Sequence, residues 1–313
     1  MLAQPWPSPG GSGTIATSPT FGAPGAAQRQ SKDMPQILII GGAGRMGRRF
    51  GQWLAAAGHT LTSLDRDNAA QAEALLARAD LVLVSVPIDT TETVIRDIGP
   101  RLRPDAVLAD LTSLKVGPMA AMLAAHPGPV VGLHPMFGPS VTRLAGQKIV
   151  VCAGRQAEAA QWLLDDFARA GAELVAASPE EHDRMMSVVQ AIRHFVTFAL
   201  GSYLAAEDID IARSLDFSSP VYRLEVDMVS RLFAQDGALY ADIMLASPER
   251  RAAIGRLAEH YAELARLIRD GDREALLARF QTTARSFAGE AERAMTESAV
   301  VIDALAEHLA KSR

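Results

Sequence analysis

The chain is poor in several features that would assign it elsewhere. It has one cysteine, Cys152, in 313 residues, so no internal disulfide forms, as suits a reducing compartment. Lysine is reduced to Lys32, Lys115, Lys148 and Lys311, and the formal net charge is -5. Without a basic stripe, no nucleic-acid partner is expected. No apolar run approaches the roughly 20 residues of a membrane helix. The richest stretch, residues 191–206, is broken by Arg193 and His194, so no membrane partner is expected. The N-terminus lacks the basic start and apolar core of a secretory signal, and the expected location is cytoplasmic.

What is present is ordinary globular composition, 49% hydrophobic and 21% charged, over a length suited to two domains. Residues 1–34 read as a disordered leader, rich in Pro, Gly, Ser and Ala without hydrophobic period. Met34 directly precedes the first strand and marks a candidate functional start. Short apolar strands then alternate with helices: 36–40, 60–64, 81–86, 106–111, 130–133, 149–152 and 173–175. That alternation predicts an α/β Rossmann-type domain with a parallel sheet over residues 35–177. From Ser178, a helix cap followed by Glu180 and Glu181, the texture becomes helical. The spacing predicts helices near 181–206, 219–235, 248–269 and 273–309, forming an all-α domain over 178–313.

The first strand runs into Gly41-Gly42-Ala43-Gly44-Arg45-Met46-Gly47. A G-x-G-x-x-G at Gly42, Gly44 and Gly47 is weak alone. Here it joins an apolar strand to a helix, the setting of a dinucleotide-binding turn. Gly42 is expected to make the turn, Gly44 to admit the diphosphate and Gly47 to let helix and strand pack. The helix N-terminus supplies N–H groups to the phosphates, so Ala43, Arg45 and Met46 join the expected contacts. Asp65 ends the second strand and suits the ribose hydroxyls of NAD. Arg66 beside it leaves NADP open.

Two further segments follow strands: Asp110-Leu111-Thr112-Ser113-Leu114-Lys115, and His134-Pro135-Met136-Phe137-Gly138-Pro139. Ligands of open α/β sheets bind beyond the carboxyl ends of the strands, so both point at the cofactor. An imidazole there, with an ordinary pKa of about 6.5, suits proton transfer near neutrality.

With Ser85-Val86-Pro87, Gln190 to Phe195, Ser218 to Glu225, Arg231 to Asp236 and Leu239 to Ile243, these strings resemble the prephenate dehydrogenases. The dehydrogenase part of the bifunctional chorismate mutase/prephenate dehydrogenases is the most similar. The likeness spans nearly everything after Met34. It implies NAD-dependent oxidative decarboxylation of prephenate to 4-hydroxyphenylpyruvate in tyrosine biosynthesis, and a homodimer joined through the helical domains. It makes His134 the catalytic base and Ser113 its catalytic companion. It assigns Arg231, His194, Arg223 and Lys115 to the substrate, and Ser85, Pro87 and His126 to the cofactor side. No metal is implied. Where the bifunctional relatives carry a mutase segment this chain has only the leader, so no mutase activity is expected.

Plainer readings stand beside these. Ser113 also suits a helix cap, and His126 before Pro127-Gly128 suits a turn. Arg223 and Arg231 each lie four residues from Asp227, a spacing for an ordinary helix ion pair. Lys115 at a helix start suits solvent, and His194 suits an apolar helix face. His59, His182, His260 and His308 carry no supporting context and read as surface or structural. Arogenate or dual-specificity cyclohexadienyl dehydrogenase is the near alternative. A β-hydroxyacid dehydrogenase would use a helical-domain lysine, and none lies between Lys148 and Lys311. A non-catalytic NAD sensor would need neither His134 nor Arg231. A chain shortened to begin at Met34 is expected to keep the circular dichroism spectrum and thermal midpoint of the full chain. Loss of folding would give the leader a structural role.

Overall fold

The computed structural model describes residues 34–311; of the leader expected over 1–34, all but Met34 lies outside the described residues. The chain divides into two compact units, ending and beginning at Arg184 and Met185.

In the first unit seven strands form one sheet among the described residues. They are β1 (Gln36–Ile40), β2 (Thr60–Leu64), β3 (Leu81–Val84), β4 (Val107–Asp110), β5 (Val130–Pro135), β6 (Lys148–Ala153) and β7 (Glu173–Ala176), in the order β2-β1-β3-β4-β5-β6-β7. The helices are α1 (Arg45–Ala56), α2 (Ala72–Leu76), α3 (Ile88–Ile98), α4 (Val116–Ala125), α5 (Gln161–Arg169) and α6 (Pro179–Met186). The expected parallel sheet needs one correction. β5 and β6 pair antiparallel, because residues 136–147 turn the chain back without the crossover helix that a parallel return requires.

The strands are apolar throughout because both faces are covered. Leu81 and Leu83 of β3 enter one core, and Val82 and Val84 enter the other. Phe50 of α1 anchors the first core. Its ring meets Trp53 and Phe167 edge-on at 5.2 and 5.6 Å and stacks on Phe137 at 6.4 Å.

The first unit continues past residue 177, where the sequence set its boundary. Ser178 does cap α6, accepting the Glu181 N–H at 3.1 Å. The side chains of His182 and Asp183, however, bond to β5 and to the start of α4, which binds this helix to the sheet.

The second unit is helical: α7 (Arg193–Ala206), α8 (Ile211–Asp216), α9 (Pro220–Phe233), α10 (Gly237–Leu245), α11 (Pro248–Arg269), α12 (Arg273–Phe287) and α13 (Ala291–Lys311). Two long helices expected from the sequence are interrupted. A π-helical segment at Ser187–Ile192 separates α6 from α7. A short turn at Ala288–Glu290, containing Gly289, separates α12 from α13. Gly201 lets α7 and α9 approach, since a Cβ there would stand 2.3 Å from the Phe233 ring.

Phe50→Ala is expected to destabilise the chain by about 3–5 kcal/mol, seen as a lower urea midpoint by tryptophan fluorescence. An unchanged midpoint would mean that α1 is not anchored through this ring.

Candidate active site

The glycine loop closes between β1 and α1. Gly41 carries the left-handed turn, with φ +80°, and a Cβ on it would stand 2.4 Å from the Ser85 carbonyl. The turn expected at Gly42 thus falls one residue earlier. Gly42 excludes a side chain for another reason, since Ser63 would stand 2.5 Å from its Cβ. A Cβ on Gly44 or Gly47 would lie 3.0 or 2.4 Å from the Gly41 carbonyl. Only bare backbone closes this turn. Gly44 caps α1 without a side-chain bond, and the first turn of α1 has no acidic residue. The amide end is therefore open to an anion.

Asp65, at the end of β2, accepts the Ala43 N–H on both oxygens at 3.1 Å. Its own N–H donates to Asn68 at 2.7 Å. Ser85 follows β3, with its N–H on the Ile40 carbonyl at 2.9 Å. Pro87 begins α3, and its carbonyl accepts the hydroxyls of Thr90 and Thr91. An anion cradle with a carboxylate beside it fits a dinucleotide's diphosphate and ribose.

His134 stands at the carboxyl end of β5, at the same sheet edge as the glycine loop, and is 2% exposed. Ser113 occupies the bend after β4, half-buried. The Nδ1 of His134 lies 2.6 Å from the Nε2 of His182, a residue 1% exposed. The Nδ1 of His182 donates to the Asp183 carboxylate at 2.7 Å. That carboxylate also accepts the N–H groups of Lys115 and Val116 at 2.9 and 3.0 Å, one on each oxygen. Burial works to raise the Asp183 pKa. The bond from His182 and the N–H groups of Val116 and Lys115 outweigh it and hold the carboxyl below its ordinary value. His182, set aside in the sequence as surface or structural, is thus buried against the predicted base. Its signal was the adjacent acidic residue at the start of a helix.

Lys115 does not face solvent, as a lysine at a helix start would. Its side chain and that of Asp110 are both 0% exposed, with Nζ 2.5 Å from Asp110 Oδ2. Its stem packs where Gly132 of β5 has no side chain; a Cβ there would lie 3.0 Å from Lys115 Cδ. The lysine therefore braces the strand carrying His134, and Asp110 holds its charge.

His126 is displaced from its expected role altogether. It ends α4, buried, and donates Nε2–H to the Ala106 carbonyl at 2.7 Å. Ala106 precedes β4, so this is the amino edge of the sheet, opposite the glycine loop. The sequence carried the signal: the C-terminal end of a crossover helix returns to that edge.

In the helical unit, Arg231 is exposed and Arg223 half-buried, two turns apart on α9. His194 lies in the first turn of α7, just after the π-helical segment, edge-on to Tyr240 of α10 with ring centroids 4.8 Å apart. Burial first, then Arg193 and Arg250, lower the His194 pKa to about 4. Burial raises that of Tyr240 against the pull of Arg193 and Arg231. The charges of Arg193 and Arg250 thus act on His194, and those of Arg193 and Arg231 on Tyr240; a guanidinium is a group suited to carboxylate. Tyr240, Arg193 and Arg250 had no role in the sequence reading. Arg250 is buried, donating to the Ile243 carbonyl at 3.0 Å.

Residues 54–174 match the prephenate dehydrogenase nucleotide-binding domain, and residues 178–282 match the prephenate dehydrogenase dimerization domain. The T-protein of Enterobacter agglomerans is 47% identical over 266 residues, 85% of this chain and 71% of that protein. The T-protein of Haemophilus influenzae is 42% identical over 268 residues, 86% of this chain and 71% of that protein. The fold is shared with prephenate dehydrogenase from Aquifex aeolicus, solved with hydroxyphenyl propionate and NAD+. The TM-score is 0.63 at 21% identity, covering 82% of this chain and 98% of that one.

His194 generates a pH prediction. Its folded pKa of about 4 lies below the ordinary 6.5, so the unfolded chain binds the extra proton first. Its contribution to stability is complete above about pH 6.5 and is lost progressively as pH falls toward 4. Ring titration by NMR should place the midpoint near 4, and His194→Gln should flatten stability against pH in that window. A midpoint near 6.5 would refute the assignment.

Proposed function

The chain belongs to the prephenate dehydrogenase family, and from that premise we propose that it catalyses NAD-dependent oxidative decarboxylation of prephenate to 4-hydroxyphenylpyruvate, with His134 as base. One observation carries the reading: a buried imidazole shares the carboxyl edge of the sheet with a glycine loop whose helix start has neither a side-chain cap nor an acidic residue.

A bound dinucleotide would supply the hydride acceptor for the hydroxyl-bearing ring carbon. The N–H groups opening α1 would hold its diphosphate, and Asp65 would orient its adenosine ribose. His134 takes the hydroxyl proton as the carbon–oxygen bond gains carbonyl character. The ring carboxylate leaves as carbon dioxide, and its bonding pair completes the aromatic ring. Prephenate brings two carboxylates, and Arg231 with Arg193 and His194 supply the matching donors on the helical unit. Ser113 is assigned to the hydroxyl beside His134. His126 and Lys115 are left out of the ligand contacts, for the reasons of geometry given above.

We also propose that the helical unit joins two copies of the chain. Phe280, Phe287, Met295, Val300 and Val301 of α12 and α13 are exposed, an apolar surface that a second copy would cover. No helix among the described residues is long and apolar enough to cross a membrane. A cytoplasmic location is proposed with the activity.

The test is NADH formation with prephenate, run beside arogenate and NADP. His134→Asn should lower kcat by about 100- to 10,000-fold while leaving the dissociation constant for NAD within experimental error. Unchanged turnover would remove His134 as the base.

A further inference from the structure

We propose that His182 and Asp183 are positioning residues that fix which nitrogen of His134 carries the proton and raise its basicity; this rests on His134 being the base. A carboxylate oxygen only accepts, so the bond at 2.7 Å sets the His182 proton on Nδ1. The neutral His182 ring then presents its Nε2 lone pair to His134, 2.6 Å away. His134 donates Nδ1–H into that bond, which leaves its own Nε2 as the lone pair for the substrate hydroxyl. When His134 takes a proton, the cation is backed by a neutral imidazole and, behind it, a carboxylate. An oriented base of this kind repeats the logic by which a carboxylate sets the tautomer of a catalytic imidazole.

The surroundings favour that state. His134 and His182 are buried, where a charge-backed bond is stronger than in water. The Asp183 carboxylate is held by two backbone N–H groups at the start of α4, so it cannot swing away from His182. Among the other ionisable groups of this region, Lys115 and Asp110 neutralise each other. Cys152 lies on β6 opposite Gly132, its thiol pushed up to about 12 by burial first. Glu180, one turn before Asp183, adds negative charge that acts on this region.

The experiment uses the full chain, with His182→Leu and His182→Gln compared. Leucine removes the acceptor, and glutamine keeps one in its amide oxygen. His182→Leu should lower kcat about 10- to 100-fold with KM for prephenate and NAD within about threefold. The acid limb of kcat/KM should move to lower pH by about one unit, because a less basic His134 stays deprotonated further into acid. His182→Gln should recover much of kcat. Equal losses in both variants with an unmoved limb, or wild-type behaviour in both, would overturn the proposal. A second measurement needs no variant: histidine-selective nitrogen-15 shifts of the wild type should report Nδ1–H on His134. An Nε2–H tautomer would overturn the proposal even if the variants fail to fold. Failure of the underlying reading looks different, since His134→Asn would then turn over normally.

Discussion

Asp183 receives two backbone N–H groups and one imidazole on a single carboxylate. The N–H groups belong to the start of α4, and the imidazole is the one against His134. Helix starts leave N–H groups unsatisfied, and here the missing partner arrives from the far end of the unit instead of from a local cap. The bond that finishes α4 therefore also fixes α6 to the sheet. Burial opposes the charge, and three hydrogen bonds retain it. Asp183 is thus at once a cap, a clamp and the back of the proposed proton-accepting chain.

A second buried charge supports the same corner from beneath. Lys115 and Asp110 are wholly enclosed and neutralise one another, with the lysine stem occupying the room left by Gly132. Removing either member alone would leave an uncompensated charge in the core. The β4–α4 segment is thus held through Asp183 at its helix start and through Lys115 against β5. His134, two residues beyond Gly132, inherits that rigidity.

Much of this was legible. Strands buried on both faces are apolar without alternation, and β1, β3 and β4 read plainly for that reason. The glycine loop was legible because its strand and helix flank it. His134 was legible from its proline- and glycine-rich run past a strand. The His134–His182 contact was not, because it joins residues 48 apart in the chain; the acidic residue beside His182 marks that histidine but not its partner. Lys115 misled because a helix-start lysine ordinarily faces solvent, and only the fold reveals the gap at Gly132 that admits it. His126 could have been set aside from topology alone. The long helical periods at 181–206 and 273–309 hid a π segment and a glycine turn, since apolar spacing persists across such interruptions.

The bond from the Ala43 N–H to Asp65 has a consequence for how easily this protein could change cofactor. The carboxylate suited to ribose hydroxyls is also a strut of the glycine loop. Exchanging Asp65 for a neutral residue to admit a 2′-phosphate would release the loop at the same stroke. The route to the other dinucleotide therefore also removes the side-chain partner of the Ala43 N–H. Coenzyme choice is in this way tied to backbone rigidity, so a single substitution at this position is a poor evolutionary or engineering step.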